Sequence, residues 1–164
     1  MWHPMQDFES ATVGPSGGDD AVAINSALAS GAPSVRVVGN LNIASPIVIP
    51  EYKSLYAESP LYIFKQFNGP MLIMKSWSTT YGILWEGNGD AYSGPGILCE
   101  ANTSRQQMGR FRVMRCRGPC IDMSAYAAGA YCSIGGGDLC LIQRNNLALP
   151  AIRQSNVACQ SYRL

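Results

Sequence analysis

Short apolar runs recur along most of the chain, bounded by glycine, proline, asparagine or serine. Five of them follow a proline; the first four prolines are 24, 25 and 24 residues apart, and the fifth comes 31 residues later. They are SPIVI at Pro46, GPMLI at Pro70, GPGIL at Pro95, GPCID at Pro119 and LPAIR at Pro150. Runs of this length, rich in valine, isoleucine and leucine, are typical of β-strands. The pattern therefore predicts strands that repeat about every 25 residues.

A second set of apolar runs lies between the prolines. It comprises VRVV at 35–38, LYIF at 61–64, GILW at 82–85, FRVM at 111–114 and LCLI at 139–142. Each repeat thus holds at least two short strands. Beyond residue 31 no stretch shows the ten or more residues of helical periodicity that an amphipathic helix needs. The body of the chain is therefore predicted to be all-β.

Regular repeats of short strands favour a solenoid, in which each coil pairs its backbone with the coils above and below. Proline lacks the N–H that a strand ladder uses, so a proline at a fixed place in each repeat fits a corner. A sandwich of hairpins is the competing interpretation, but hairpin dipeptides are not placed regularly between the runs. We predict a short right-handed parallel β-helix of about five coils, one for each proline segment.

One helix is predicted before this body, in GGDDAVAINSALASG at residues 17–31. Asp19 or Asp20 is the expected N-cap, and Gly31 is the expected stop. The apolar positions expected to face the core are Val22, Ile24, Ala27 and Leu28. A helix over 19–31 would cover one open end of the solenoid. The predicted organisation is thus an extended arm at 1–18 and a single β-helix domain at 19–164.

Composition and charge exclude several classes of function. Charged residues make up 14% of the 164 residues, and the formal net charge is +1. Such a balance gives no field that would collect phosphates, so nucleic acid is not an expected partner. The apolar runs are far shorter than the ~20 residues that span a bilayer, so no membrane segment is expected. No secretory signal is visible at the start, which favours synthesis in the cytoplasm.

Six cysteines and one histidine are the candidate metal ligands, and the cysteines are also candidate disulfide partners. The cysteines lie at 99, 116, 120, 132, 140 and 159, without the paired spacing of a zinc knuckle, and His3 is far from them. Without a secreted context, small buried reduced side chains are the favoured interpretation. We expect neither a metal nor a cofactor.

The best enzymatic candidates are Glu86 and Asp90 in WEGNGDAYSGP, where Trp85 and Tyr92 flank them. Glycoside hydrolysis uses two carboxyl groups, and aromatic rings beside them offer a surface for a sugar ring. An exposed glycine-rich loop with ordinary solvated acids is the favoured alternative. A glycan binder without turnover would use the same aromatics together with Trp77.

Two groups of residues are candidates for binding a partner. Trp2, Met5 and Phe8 are large apolar residues on an arm that cannot build its own core, so they are expected to dock on a neighbour. Arg110 and Arg112 are expected to share one exposed strand face, where they would contact carboxylates of another subunit or of a capsid, or simply solubilise the surface.

The segments GGDDAVAINSALAS, VRVVGNLNIASPIVIP and SLYAESPLYIF resemble the opening of pectate-lyase-like right-handed β-helices, above all those of bacteriophage tailspikes and other virion appendages. The resemblance covers about residues 17–75. It implies a capping helix, a first coil and a trimeric assembly. LYAES stands where that family commonly has a glycine-rich turn, and no motif carries a catalytic residue over.

The expected function is a non-enzymatic structural protein of a bacteriophage virion, assembled in the host cytoplasm. It would be a homotrimeric β-helix that serves as capsid decoration or cement, or as a tail or spike module, and binds other virion proteins. The alternative is a carbohydrate-active tailspike domain, or a module that binds a host surface polysaccharide.

Overall fold

A computed structural model describes residues 10–125, 132–135, 141–144, 152–154 and 160–162. Within them the chain forms one helix and fifteen strands, and every strand pairing is parallel. The elements are β1 (Ala11–Val13), α1 (Asp20–Ala29), β2 (Ser34–Val37), β3 (Leu41–Ile43), β4 (Ile47–Ile49), β5 (Ser54–Lys65), β6 (Leu72–Met74), β7 (Thr79–Glu86), β8 (Ile97–Cys99), β9 (Gln106–Gly109), β10 (Arg112–Cys116), β11 (Ile121–Met123), β12 (Cys132–Gly135), β13 (Leu141–Arg144), β14 (Ile152–Gln154) and β15 (Gln160–Tyr162).

The strands stack in three columns, one for each side of the coil. The first column contains β1, β2, the start of β5, the start of β7, β9, β12 and β15. The second contains β3, the ends of β5 and β7, β10 and β13. The third contains β4, β6, β8, β11 and β14, which mark five successive coils. The prediction of a short right-handed parallel β-helix is confirmed.

The proline segments form the corner before the third column. Pro70, Pro95 and Pro119 stand in register, each two residues before its strand. Pro46 stands only one residue before β4 and aligns with Met71. The first coil is three residues shorter here than the next, because residues 44–46 span the gap that residues 66–71 span in the next coil. The glycines before the prolines allow close stacking of the backbone. A Cβ at Gly94, whose φ is +106°, would lie 2.5 Å from the carbonyl oxygen of Gly69.

Alternation along each strand places one set of side chains inside the coil. In the third column the first and third residues of β4, β6, β8 and β11 are fully buried, while the middle residue of each strand is half-buried. The inward residues are Ile47, Ile49, Leu72, Met74, Ile97, Cys99, Ile121 and Met123. Because in-register parallel pairing puts equivalent residues above one another, these side chains form continuous apolar stacks.

Helix α1 packs against β1 and against the three strands of the first coil, β2 to β4. Ile24 and Leu28 are buried on its inner face, but Val22 is 64% exposed, so its predicted core position was wrong. Val22 lies two residues from Ile24, which places it on the opposite side of an α-helix. The helix covers the first coil with one face and leaves the other in solvent.

The two aspartates at the start of α1 join the helix to the first coil. Asp19 is the N-cap: it accepts hydrogen bonds from the backbone N–H of Ala21 at 3.1 Å and of Ala44 at 2.8 Å, and from Ser45 Oγ at 2.6 Å. Although burial acts to raise the pKa of Asp19, these hydrogen bonds outweigh it and lower the pKa below its ordinary value. Of the two predicted candidates, Asp19 is therefore the cap, and Asp20 is the first residue of the helix. The Asp20 carboxylate accepts hydrogen bonds from the backbone N–H and Oγ of Ser16 and from the backbone N–H of Asn42.

Candidate functional site

The coil has three corners, and the candidate side chains lie at or beside them. The first corner, between the first and second columns, includes residues 38–40, 58–60, Gly82 and Arg110. The second corner joins the second column to the third. The third corner leads into the next coil and includes residues 50–53, 75–78 and 100–105.

The predicted acid pair lies at the second corner, where one arginine lies between the two carboxylates. Arg115 Nε is 3.6 Å from Glu86 Oε1, and Arg115 Nη2 is 3.0 Å from Asp90 Oδ2. Glu86 Oε1 also accepts a hydrogen bond from the backbone N–H of Asn88 at 3.1 Å. The Glu86 side chain is 9% exposed, whereas that of Asp90 is 76% exposed. One guanidinium thus forms ion pairs with both carboxylates.

The aromatic residues predicted beside this pair do not form a stacking surface together. Trp85 is fully buried, because it follows Ile83 at the inward positions of β7. Its use as a sugar platform was therefore wrong. Among the described residues, the indole Nε1 of Trp85 has no hydrogen-bond partner. Tyr92 is half-buried.

A buried lysine lies behind the same corner. Lys65 is 0% exposed, and its Nζ donates a hydrogen bond to the carbonyl oxygen of Ser93 at 2.6 Å and lies 5.6 Å from the centre of the Phe67 ring. Burial lowers the pKa of Lys65 from 10.5 to about 8, with nearby Cys116 acting in the opposite direction. The interior of the coil at this level therefore contains a cation rather than only hydrocarbon.

Cys116 shares this polar part of the interior. Its hydrogen bond with Cys120, its burial and the charge of Glu86 raise the pKa of the Cys116 thiol far above its ordinary value, and Lys65 only partly offsets them. The thiolate is the reactive form of cysteine, so this thiol is not activated as a nucleophile. Cys99, Cys116 and Cys120 are all buried, which agrees with the interpretation of the cysteines as small buried side chains.

A ladder of three large side chains occupies the third corner: Tyr52, Trp77 and Arg105, one on each of three successive coils. The rings of Tyr52 and Trp77 stack with centroids 6.0 Å apart, and the guanidinium carbon of Arg105 lies 4.6 Å from the centre of the Trp77 ring. Tyr52 is 69% exposed and Trp77 is 46% exposed. All three have positive φ, at 61°, 60° and 63°, which is rare for bulky residues.

The predicted partner-binding arginines meet at the first corner. Arg110 and Arg112 line one cavity of about 90 Å³ together with Tyr81 and Glu58. Arg110 Nη1 is 3.4 Å from the hydroxyl oxygen of Tyr81. Arg110 was expected to lie in the same strand as Arg112. It lies instead in the corner just before β10, with φ at 44°. The two arginines are nevertheless brought to one surface.

The other predicted partner-binding residues, Trp2, Met5 and Phe8, lie outside the described residues. In the described part of the chain, no cluster of three or more histidine, cysteine, aspartate or glutamate side chains is arranged to hold a metal ion. No helix there is long and apolar enough to cross a membrane.

Sequence reasoning missed several residues that the structure makes prominent. Lys65 continues the inward alternation of Leu61 and Ile63, so its burial could have been read from the period of two. Tyr52 and Trp77 are 25 residues apart, within one residue of the proline intervals of 24, 25 and 24, which signals a shared corner. The position of Arg105 in the ladder has no such signal, because the coil between Trp77 and Arg105 is three residues longer than the coil between Tyr52 and Trp77.

The three parallel columns define the chain as a right-handed parallel β-helix protein. Comparison with known proteins adds no narrower identification, because no family model, no curated protein and no solved structure matches the chain.

Proposed function

We propose that the chain is a non-enzymatic structural protein of a bacteriophage virion, a trimeric β-helix that decorates the capsid or forms a tail or spike module. Its virion location and trimeric state are supported by the resemblance of residues 17–75 to virion β-helices. The absence of catalysis is supported by an observation at the second corner: one arginine binds both candidate catalytic carboxylates.

Polysaccharide hydrolysis needs two carboxyl groups that flank the glycosidic bond and leave room for it between them. Arg115 instead lies between Glu86 and Asp90, with Nε 3.6 Å from the first carboxylate and Nη2 3.0 Å from the second. Two further acids form ion pairs in the described part of the chain: Glu58, 3.1 Å from Arg36, and Glu100, 3.8 Å from Lys75. These carboxylates serve the structure of the coil, and the protein would act by binding.

A direct test asks whether the protein associates with particles and whether it cuts glycans. We expect it to cofractionate with purified virions at a copy number divisible by three. Host surface polysaccharide should keep its length, as measured by size-exclusion chromatography, with both the wild-type protein and Glu86→Gln. Cleavage by the wild-type protein that Glu86→Gln abolishes would establish an enzyme, and a free monomer absent from virions would refute the structural role.

A second candidate function, glycan binding without turnover, is favoured by the ladder at the third corner. Among the described residues, Tyr52 stacks on only one ring, so much of its surface remains open. The apolar C–H face of a sugar ring fits such a surface, and the guanidinium of Arg105 offers donors to hydroxyl groups. Tyr52 and Trp77 both have positive φ, a backbone conformation in which glycine would be less strained than these bulky residues.

Removal of the first ring provides the test of glycan binding. We expect Tyr52→Ala to weaken binding of host surface polysaccharide about tenfold, which corresponds to about 1.4 kcal/mol. Tyr62→Ala is the matched control, since Tyr62 also stacks on a ring, that of Phe64 at 5.6 Å, but outside the ladder. Isothermal titration calorimetry measures both variants. Equal affinities for wild type and Tyr52→Ala would exclude the ladder as the binding site.

A further inference from the structure

The first corner carries a projection that creates a cavity. In β5 and β7, Tyr56 pairs with Tyr81 and Leu61 pairs with Ile83, so residues 57–60 of one coil stand opposite the single residue Gly82 of the next. Residues 58–60 therefore bulge outward and are exposed. The cavity of about 90 Å³ lies between this bulge and the following coils, with Arg110 and Arg112 on its other side.

The walls of this cavity combine cations with apolar surface. Arg110 lies over the Tyr81 ring, 5.7 Å from its centre. Arg112 is half-buried and makes no ion pair with any residue in the described part of the chain. Glu58, on the bulge, is the one acid in the wall, and Arg36 neutralises it at 3.1 Å. The cavity and its rim therefore carry an excess of positive charge.

We propose that this cavity receives the carboxylate of an aspartate or glutamate side chain from a protein partner. The planar guanidinium fork matches a carboxylate, and a half-buried arginine gains more from such a pair than a fully solvated one. The proposal rests on the binding role proposed above and names the chemistry of the partner. The partner's carboxylate would enter the cavity, and the exposed Tyr81 ring beside it would pack on the partner's surface.

The composition of the lining favours a protein side chain over an acidic sugar. Arginine and tyrosine lie beside an apolar surface of Ala57, Pro60 and Leu84, which is the composition of a protein-binding hot spot.

The test uses a decaglutamate peptide as the probe and polygalacturonate as the acidic sugar, both at low salt. We expect the peptide to shift the side-chain Nε–H signal of Arg112 in ¹⁵N NMR spectra, and Arg112→Gln to weaken peptide binding at least tenfold. Arg112→Lys, which keeps the charge without the fork, should recover only part of the affinity. Arg117→Gln is the matched control, because Arg117 is an exposed arginine that does not line the cavity. It should change the affinity less than twofold.

Equal losses in Arg112→Gln and Arg117→Gln would show attraction to the general surface and overturn the proposal. A shift of Arg112 by polygalacturonate but not by the peptide would also overturn it, in favour of a sugar ligand. If Arg112→Gln loses peptide binding yet the wild-type protein does not cofractionate with virions, the virion role fails and the cavity assignment stands. If wild type cofractionates but does not bind the peptide, the cavity assignment alone fails.

Discussion

Substitution of Gly82 by alanine should destabilise the protein by about 3–5 kcal/mol, among the largest effects expected from a single methyl group. Gly82 has a φ of +76°, and a Cβ there would lie 2.2 Å from the carbonyl oxygen of Ala57. That oxygen is backbone in the neighbouring coil, so it cannot move aside as a flexible side chain would. Because β7 pairs with β5, β9 and β10, a displacement there would disturb the pairing on both sides.

Gly31→Ala separates the steric contact from the backbone strain. Gly31 has a similar φ of +97°, but no atom lies within 4 Å of the position of its Cβ. It should cost only the left-handed strain of a non-glycine residue, about 1–2 kcal/mol. Urea unfolding followed by circular dichroism measures both variants. A Gly82→Ala protein as stable as Gly31→Ala would mean that the coils at the first corner are not packed as closely as described.

The second large effect concerns Lys65, whose replacement should change how stability depends on pH. Its pKa is about 8 in the folded protein and 10.5 when unperturbed, so above pH 8 the unfolded chain binds more protons than the folded one. Stability should therefore rise with pH, by about 1 kcal/mol between pH 7 and 9. Lys65→Met should abolish this rise, and at pH 7 it should be neutral or stabilising by about 1–3 kcal/mol, because no buried ammonium remains to be desolvated.

The measurement is urea unfolding of both proteins from pH 6 to pH 9. The carbonyl oxygen of Ser93 loses the lysine donor but keeps the backbone N–H of Gly69 at 2.9 Å, so it is not left without a partner. The raised pKa of Cys116 acts in the opposite sense above pH 9, where stability is lost as unfolded thiols ionise. It is present in both proteins and cancels in their difference. A difference that does not vary with pH would show that Lys65 is not buried as a cation.

The architecture was accessible from the sequence because the solenoid is nearly periodic. The proline interval predicted the third column. Four of the apolar runs between the prolines predicted strands of the second column, and the run at 35–38 predicted β2 of the first. The DD pair before an alanine-rich run predicted the helix and its cap. Local patterns suffice here because every coil repeats the same pairing with its neighbours. The same strand pattern therefore recurs several times along the sequence.

The candidate sites were less accessible, because they depend on how coils of unequal length align. The sequence placed Glu86 and Asp90 four residues apart, but did not show Arg115 between them, since that arginine comes from the next coil. Trp85 was expected to be a surface residue, although its position after Ile83 on the inward side of β7 requires burial.

By itself, the sequence determined that this protein is a short coil of parallel strands with a capped helix at its start, because strand periodicity, corner residues and capping are local properties. Only the tertiary structure decided which side chains meet. The extra residues 58–60 opposite Gly82 open the cavity beside Arg112, and a three-residue change in coil length brings Arg105 over Trp77. These contacts depend on the register between neighbouring coils. All the insertions along a coil together set that register, so no single segment of the sequence determines it.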